Sequence, residues 1–395
     1  MSAVDDPIVI VGMARTPMGG LLGELTSLSA NELGAIAVKA AMEEAGVAGE
    51  DVDQIFMGNV LGAGQGQAPA RQAGIKAGLP KSVEATTLNK MCGSGMQAAI
   101  MGRSTLLAGD ADIIVAGGME SMSNAPHLLP THRAGVKYGH DVLKDHMAQD
   151  GLEDAYEKKP MGVYADMIAQ EHQFTREQQD AYALETLARA QRATKNGDFK
   201  REITSVTMTT RKGDVVVDTD ELPRKAMPEK IPSLRPAFGK DGTVTAANAS
   251  GISDGAAALV LMRKSEAERR GLKPLARIVA TAAHAHEPAY FTTAPVPAMR
   301  KAVERAGWAI EDVDLWEINE AFAVVPMIAM KELGLSHDKV NVNGGACALG
   351  HPIGASGARV IVTLIAALEK HGKTKGIASL CIGGGEATAV AVERL

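Results

Sequence analysis

The residue with the clearest chemical potential is Cys92, in the stretch LNKMCGSGM of residues 88–96. It stands between a predicted strand, residues 85–88, and a predicted helix, residues 93–108. Free N–H groups at a helix start favour a thiolate, so we expect a lowered pKa for this thiol. The same groups could hold the oxyanion of an acyl group bound to the sulfur. The alternative is a cysteine simply buried beneath the helix, the common state of free cysteines.

A second candidate is His351, in the stretch GGACALGHPIGASG of residues 344–357. The proline after it imposes an extended backbone, and a predicted helix follows. A histidine held this way could serve as a general base or as a donor to an oxyanion. The alternative is a histidine whose ring is satisfied by local backbone groups. A nucleotide-phosphate loop is disfavoured because the Lys-Ser/Thr ending and the acidic residue of a dinucleotide fold are missing.

Two further segments end predicted strands with polar or reactive residues. Cys381 precedes three glycines, whose backbone N–H groups could bind an anion. Asn319 ends the stretch WEIN of residues 316–319, where its amide could hold a water or donate to an enolate. A buried thiol and a helix-capping asparagine are the respective alternatives. Each segment alone is a weak signal.

The elements that must position these residues form an α/β pattern with an internal repeat. Strands are predicted at residues 8–11, 54–57, 113–116 and 315–318, and a helix at residues 31–45. The sequence of residues 41–53 resembles that of residues 302–314, and each copy leads into a strand and later into a glycine-rich turn that opens a helix. The period is far longer than that of a solenoid, which indicates a duplicated domain.

The middle of the chain differs from the rest in amino-acid composition. Residues from about 122 to 251 contain many Pro, Lys, Asp and Glu residues, a helix predicted at 176–196 and short strands predicted at 204–208 and 215–218. Inserted segments of this length are often functional. We predict a loop domain at 122–251, an N-terminal half at 1–121 plus 252–274, and a C-terminal half at 275–395.

Composition excludes several functional classes. The net charge of −6 over 395 residues gives no indication of nucleic-acid binding. The first twelve residues lack the basic and apolar regions of a signal peptide, and no apolar stretch is long enough to span a membrane. Three widely spaced cysteines predict neither a disulfide framework nor a metal site. A cytoplasmic protein with no membrane partner is the expectation.

Taken together, these segments resemble the thiolase family along nearly the whole chain. The resemblance begins at ARTP of residues 14–17, continues through GGMESM of residues 117–122 and ends at the C-terminal CIGGG. It implies an α/β fold with a duplicated five-layer α/β/α/β/α core and an inserted loop domain. It also implies reversible Claisen condensation of two acetyl-CoA to acetoacetyl-CoA and CoA, with CoA as substrate and product and no permanently bound cofactor.

The resemblance assigns roles residue by residue. Cys92 matches the cysteine that carries the acyl group, and His351 the histidine that takes its proton. Cys381 matches the acid/base that removes an α-proton from the second acetyl-CoA. His351 and a water held by Asn319 match one oxyanion hole, and the N–H groups of Cys92 and Gly383 match a second.

The resemblance also implies residues that bind CoA and the acyl group. Ser250 matches a pantetheine contact and Arg224 an arginine near the adenine. The remaining candidates match positions that line the acyl or pantetheine pocket, although ordinary core packing is the alternative for several of them. They are Met161, Phe238, Ala321 and Phe322.

The acyl chain length and the assembly are further expectations from the resemblance. Several segments are similar to acetoacetyl-CoA thiolases, but Pro160 stands where biosynthetic members have a histidine, as in degradative members. A degradative 3-ketoacyl-CoA thiolase of broader chain length therefore stays open. A non-catalytic acyl-CoA or lipid carrier on the same scaffold is the alternative from another class. A homotetramer of paired dimers is implied, and Cys347 is interpreted as structural.

Overall fold

The computed structural model describes residues 6–211 and 213–395. The strands are β1 (Ile8–Arg15), β2 (Gly19–Gly20), β3 (Gln54–Gly58), β4 (Glu84–Leu88), β5 (Ile113–Ser121), β6 (His127–Leu128), β7 (Lys144–Asp145), β8 (Val206–Thr210), β9 (Gly213–Val217), β10 (Ser253–Arg263), β11 (Ala276–Ala285), β12 (Leu315–Ile318), β13 (Lys375–Ile382) and β14 (Glu386–Arg394). The helices are α1 (Ala30–Ala45), α2 (Pro69–Lys76), α3 (Ser94–Ala108), α4 (Met161–Glu171), α5 (Arg176–Asn196), α6 (Glu221–Lys225), α7 (Lys264–Arg269), α8 (Pro295–Arg305), α9 (Val324–Leu333), α10 (Ala346–Leu349) and α11 (Ile353–Lys370).

The large mixed sheet consists of two halves that repeat one pattern. Its order is β12-β13-β14-β11-β1-β10-β5-β3-β4, with β2 paired to β10. In one half β3 and β5 are parallel, while β5, β10 and β1 are antiparallel neighbours. In the other half β12 and β13 are parallel, while β13, β14 and β11 are antiparallel neighbours. The halves meet where β1 pairs with β11, at Val9–Arg277 and Ile10–Ala276.

Helices cover and separate these two halves. Helices α3 and α11 pack against each other, and α11 contacts β5 and β10 of one half and β12 and β13 of the other. Helices α1 and α2 pack on the outer face of the first half, and α8 and α9 on that of the second. Apolar cores fill the space on each side of the central pair. The five-layer α/β/α/β/α architecture is thereby confirmed.

The repeated sequence folds alike in its two copies. Helix α1 ends at Gly46 in a left-handed conformation with φ 66°, a short 3₁₀ turn follows, and β3 begins at Gln54. The second copy runs from α8 through a 3₁₀ turn at Ile310–Asp312 into β12. Helices α3 and α11 then occupy equivalent places. The duplication therefore puts the segments that precede these two helices in equivalent positions.

The two central helices approach each other backbone to backbone near their N-termini. A Cβ on Gly95 would lie 2.7 Å from the backbone nitrogen of Ala358, and one on Gly357 would lie 2.2 Å from that of Met96. Contacts this short leave room only for glycine. The crossing brings the N-termini of α3 and α11 together.

Between β5 and β10 the chain leaves the large sheet. It forms the hairpins β6–β7 and β8–β9 and the helices α4, α5 and α6. Helix α5 has the predicted bounds, with the Thr175 side chain accepting from the Gln178 N–H at its start and Gly197 in a left-handed conformation at its end. The two predicted strands pair as β8 and β9, with Val206 opposite Val217. The three-part domain division stays a prediction.

No helix in the described part of the chain is long and apolar enough to cross a membrane. Among the same residues, no group of three or more His, Cys, Asp or Glu side chains is arranged to hold a metal ion.

Candidate active site

Cys92 lies in a tight turn between β4 and α3. The preceding Met91 has a φ of 46°, a left-handed conformation that is strained for a residue with a side chain. The Lys90 N–H donates to the Ser94 hydroxyl at 2.8 Å, which donates in turn to the Met91 carbonyl at 2.6 Å. Gly93 caps α3, so Cys92 stands just ahead of the helix rather than within its first turn.

The end of β13 lies directly against this turn. A Cβ on Gly93 would lie 2.3 Å from Cδ1 of Ile382, so any larger residue there would have to displace this side chain. The backbone N–H groups of Gly383 and of Cys92 itself are directed at the Cys92 sulfur. Cys381 is near enough that charge on the Cys92 sulfur disfavours charge on its own. The structure thus brings Cys92, Cys381 and Gly383 together, with two N–H donors converging on one sulfur.

The expected lowering of the Cys92 pKa is wrong. Burial raises the pKa of this thiol to about 11, and the nearby Glu120 carboxylate also raises it, although the Gly383 and Cys92 N–H groups act in the opposite direction. Desolvation of the thiolate outweighs the helix start because Cys92 stands ahead of the helix. Burial also holds the pKa of Cys381 well above its usual range. Both groups are therefore thiols at neutral pH, and the nucleophile needs a base.

His351 is buried and held in one tautomer. Its Nδ1 lies 2.6 Å from the Ser356 hydroxyl, and that hydroxyl donates to the Pro352 carbonyl at 2.9 Å. Because the single hydroxyl proton is used, the hydroxyl oxygen accepts from Nδ1–H, which leaves Nε2 unprotonated. Burial, with a contribution from the Arg359 cation, lowers the pKa of His351 to about 3. A neutral imidazole with a free Nε2 is suited to accept a proton.

Asn319 lies beside this imidazole at the end of β12. Its Nδ2 is 3.5 Å from each ring nitrogen of His351. Its Oδ1 accepts from Nη2 of Arg359 at 3.0 Å, while Nη1 of the same guanidinium donates to Oε1 of Glu317 at 2.8 Å. With its oxygen bound, the amide presents its NH₂ end to the histidine. The structure therefore brings His351 and Asn319 together, as the sequence predicts.

A buried carboxylate, Glu120, ties the loops around the site to one another. It accepts from the N–H groups of Val60 at 3.0 Å, Leu61 at 3.1 Å and Gly354 at 2.9 Å. The Gly354 N–H is one of the donors left free at the start of α11. Burial raises the pKa of Glu120 to about 7, although these three N–H groups lower it.

We call Cys92, Cys381, Gly383, His351 and Asn319 the catalytic group. Five of the six predicted substrate residues lie in one neighbourhood beside it. The Ser250 N–H donates to the Ala321 carbonyl at 2.9 Å, and the Phe322 ring meets the Phe238 ring edge-on at a centroid distance of 6.2 Å. Met161 begins α4 and packs against the same apolar core as Phe322. The next residue after Ser250 accepts the backbone N–H of His351 at 2.9 Å. This backbone hydrogen bond connects the segment of the predicted substrate residues to His351.

Arg224, the sixth, lies apart on α6. Its Nη2 donates to Oε2 of Glu24 at 2.6 Å and its Nε to the Asp220 carbonyl at 3.2 Å. The structure therefore gives it protein partners and does not bring it to the other substrate residues.

Gly251 lines an apolar cavity of about 380 Å³. Its walls include Leu187, Leu234 and Cys347, with Lys230 among the lining residues. Cys347 lies outside the catalytic group: its Sγ donates to the Glu320 carbonyl at 3.5 Å, and burial raises the pKa of its thiol well above the usual range.

Sequence reasoning missed three residues of this arrangement: Ser356, Arg359 and Glu120. Ser356 belongs to the glycine-rich turn already noted, and Glu120 to the GGMESM segment. Their side-chain roles depend on contacts between distant segments. A polar residue inside a mostly apolar helix, as Arg359 is in α11, was the available signal.

Comparisons with known proteins gave matches over nearly the whole chain. The sequence profile "Thiolase, N-terminal domain" matches residues 8–265, and "Thiolase, C-terminal domain" matches residues 272–394. The chain is 52% identical over 389 residues to an acetyl-CoA acetyltransferase of Chromobacterium violaceum, covering 98% of this chain and 99% of the relative. It is 49% identical over 398 residues to the cytosolic acetyl-CoA acetyltransferase of Mus musculus, covering both chains completely. The crystal structure of Acat5 thiolase from Ascaris suum in complex with coenzyme A superposes with a TM-score of 0.93 at 44% identity, covering 98% of this chain and all of that one.

Proposed function

This chain belongs to the thiolase family, and we propose that it is an acyltransferase that condenses two acetyl-CoA into acetoacetyl-CoA and CoA through an acyl-Cys92 intermediate. The observation that carries the proposal is the convergence on one sulfur of two backbone N–H groups and a second thiol, Cys381. The neutral His351 and the oriented amide of Asn319 supply the remaining chemistry.

Acylation begins from two thiols. The Cys92 sulfur attacks the thioester carbonyl while its proton passes to Nε2 of His351. The tetrahedral oxyanion is held by the N–H groups of Cys92 and Gly383, and one such donor is typically worth about 3 kcal/mol. The departing CoA thiolate takes the proton of Cys381 and leaves as CoA. The products of this half-reaction are acetyl-Cys92, a protonated His351 and a Cys381 thiolate. Their opposite charges offset each other, an attraction that is absent in the resting site, where both groups are neutral.

Condensation returns each proton. The Cys381 thiolate, strongly basic because its site is buried, removes an α-proton from the second acetyl-CoA. The resulting enolate oxygen is stabilised by protonated His351 and by a water held by Asn319. The enolate carbon attacks acetyl-Cys92, and the C–S bond breaks. The Cys92 sulfur leaves with the proton of His351, so acetoacetyl-CoA departs and both thiols are restored.

CoA is proposed to enter along the segment that contains Ser250 and Gly251. Support comes from the cavity that Gly251 lines, which has apolar walls and contains Lys230, and from the contact of Gly251 with His351. A thioester at the end of pantetheine would reach the catalytic group past Met161, Phe238, Ala321 and Phe322. Arg224 would have to exchange its Glu24 partner to meet the adenine.

The central test is the site of covalent labelling. Incubation with acetyl-CoA should add one acetyl group at Cys92, located by peptide mass spectrometry. Cys92→Ala should lose thiolysis of acetoacetyl-CoA, since no other thiol receives two N–H donors. Cys381→Ala should still acylate Cys92 but fail to condense. Acetyl label on Cys381 or Cys347, or normal condensation by Cys381→Ala, would contradict the assignment.

The preference for a two-carbon acyl group has a structural argument. Cys92 packs against a filled apolar cluster that contains Leu61, Met122 and Ile353, joined by Met147 and Leu152 from the segment after β7. A long acyl chain would have to displace these side chains. Thiolysis rates across 3-ketoacyl-CoAs from four to sixteen carbons should therefore be highest at four. A maximum at long chains would favour the degradative alternative and leave the mechanism intact.

The assembly and location are proposed on the family resemblance. A tetramer of paired dimers is supported by exposed apolar side chains between β6 and β7, among them Leu129, Tyr138 and Val142. The cytosolic name of the mouse relative supports a cytoplasmic location. We propose no permanently bound cofactor and no metal, because the steps above need neither.

A further inference from the structure

Arg359 is a buried cation next to the catalytic group that the mechanism above leaves without a role. It lies on α11, is 1% exposed, and has Ser356 and Thr363 as polar neighbours on its own helix face, three residues before it and four residues after it. Burying a guanidinium is expensive unless its donors are all used. Its contacts therefore indicate what its burial achieves.

The two terminal nitrogens of the Arg359 guanidinium donate to two different acceptors, an arrangement that we call a fork. Nη2 donates to Oδ1 of Asn319 at 3.0 Å, and Nη1 donates to Oε1 of Glu317 at 2.8 Å. Glu317 and Asn319 lie two residues apart at the end of β12, so their side chains leave the strand on the same face. One planar group thus spans both, a geometry that a point charge such as lysine cannot reproduce.

The branch on Asn319 decides which end of the amide faces His351. A side-chain amide has two orientations of nearly equal shape, with donor and acceptor exchanged. A donor on Oδ1 selects the orientation that points the NH₂ group at the imidazole. In the opposite orientation an oxygen would face the place where the enolate oxygen is proposed to lie and would repel it, and the water there would have to donate to the amide rather than accept from it.

The guanidinium also interacts electrostatically with a further buried carboxyl group, that of Glu202. The Glu202 carboxylate attracts it and also binds the Thr363 hydroxyl at 3.2 Å, one turn further along α11. Glu202 is paired in turn with Arg15, whose Nη1 donates to Asp220 at 2.7 Å. These side chains are all buried. The fork therefore lies within a buried network of charged groups.

We propose that Arg359 is a positioning residue for the condensation step, acting by fixing the side-chain amide of Asn319 with its NH₂ group toward His351. The proposal rests on the proposed function, since it gives Asn319 its role in enolate stabilisation. It predicts a loss in turnover without a loss in substrate binding, because Arg359 touches neither CoA nor the acyl group.

The test compares Arg359→Gln, Asn319→Ala and the double variant in acetoacetyl-CoA thiolysis. An oxyanion donor is typically worth about 10²- to 10³-fold in kcat, so losing its orientation should lower kcat by about 30- to 100-fold. KM for acetoacetyl-CoA should stay within about threefold, since binding contacts are unchanged. If Arg359 acts through Asn319, the double variant should be no slower than Asn319→Ala alone. The proposal would be overturned if kcat of the double variant fell by the product of the two single losses, or if Arg359→Gln kept the wild-type kcat.

Two further variants separate positioning from folding. Thr363→Val removes a hydrogen bond from the same buried network without touching Asn319, and its kcat should stay within about twofold of wild type. An equal loss in Thr363→Val would mean that general loosening explains the effect. Should Arg359→Gln fail to fold, Arg359→Lys keeps the buried charge without the fork and should lose about tenfold in kcat. A wild-type kcat in that variant would overturn the proposal. Absence of thiolysis in the wild-type protein would instead refute the proposed function.

Discussion

At the scale of single residues, Cys92 and His351 are each neutral in the resting protein. The thiol has a pKa of about 11 and the imidazole a pKa of about 3, both chiefly because of burial. Proton transfer therefore has to accompany attack on the thioester. A thiol of high pKa gives the more nucleophilic sulfur once its proton has left, which partly offsets the cost of removing it.

Ser356 makes this transfer possible by holding His351 in the tautomer with a free Nε2. Ser356→Ala removes the acceptor for Nδ1–H, so the ring is free to place its proton on Nε2 and to rotate. A general base typically contributes about 10²- to 10⁴-fold, and we expect the rate of Cys92 acylation to fall by about 10- to 100-fold. Rapid-quench mass spectrometry of the acetyl-enzyme measures that rate directly.

Ser379→Ala is the matched control for this prediction. Its hydroxyl is equally buried and donates to the Thr388 carbonyl at 2.8 Å, on strands rather than at the histidine. It should lose stability without a comparable loss in acylation rate. Equal acylation rates in the two serine variants would mean that the Ser356 contact does not control His351.

At the scale of elements, the predictions succeeded where local patterns decide the structure. Helix α5 has its predicted bounds because a capping threonine and a C-terminal glycine mark both ends. Helix α1 and strand β3 were placed within one residue by their apolar pattern and by Gly46. The duplicated sequence predicted the equivalence of α3 and α11 as well. Patterns of this kind lie within one segment and can be read without its neighbours.

The predictions failed where distant segments determine the chemistry. The pKa of Cys92 was expected to be low from its place near a helix start, yet burial and Glu120 raise it. The fork of Arg359 depends on β12 lying beside α11, which no local pattern reveals. The candidate catalytic residues themselves were found because each stands where a predicted strand or turn ends, and all but Asn319 have glycines nearby. Their supporting side chains lie within regular elements and carry no such mark.

At the scale of the whole molecule, a network of buried charges joins the segment between β5 and β10 to the core. It contains two cations, Arg15 and Arg359, and three carboxyl groups, those of Glu202, Asp220 and Glu317. With all three carboxyls ionised it would carry one excess negative charge in a region with little water. Burial raises the pKa of Glu317 to about 8, although the Arg359 cation lowers it, while Glu320 and Glu202 also raise it. At neutral pH Glu317 is therefore mostly protonated, which removes this excess negative charge.

This protonation makes stability depend on pH with a definite sign. The carboxyl of Glu317 has an ordinary pKa of 4.5 in the unfolded chain and about 8 in the folded one. Between these values the folded state binds the extra proton, so its stabilising contribution is full below pH 4.5 and is lost as pH rises through 8. Each pH unit in this window is worth about 1.4 kcal/mol. The titration of His351, whose pKa falls from 6.5 to about 3 on folding, cancels when two proteins that both keep this residue are compared.

Glu317→Gln keeps the oxygen that accepts from Arg359 and removes the titration. Relative to wild type, this variant should gain about 1 to 2 kcal/mol between pH 6.5 and 8. Thermal melts at several pH values and one fixed protein concentration measure the difference. Glu120→Gln is the comparison, because the wild-type carboxyl of Glu120 has a pKa of about 7. The stability that this variant gains relative to wild type should therefore stop rising about one pH unit below the point where it stops for Glu317→Gln. Melting curves of Glu317→Gln that follow wild type in parallel through pH 8 would mean that Glu317 is already ionised in the folded protein. In that case the charge of the network would have to be balanced elsewhere.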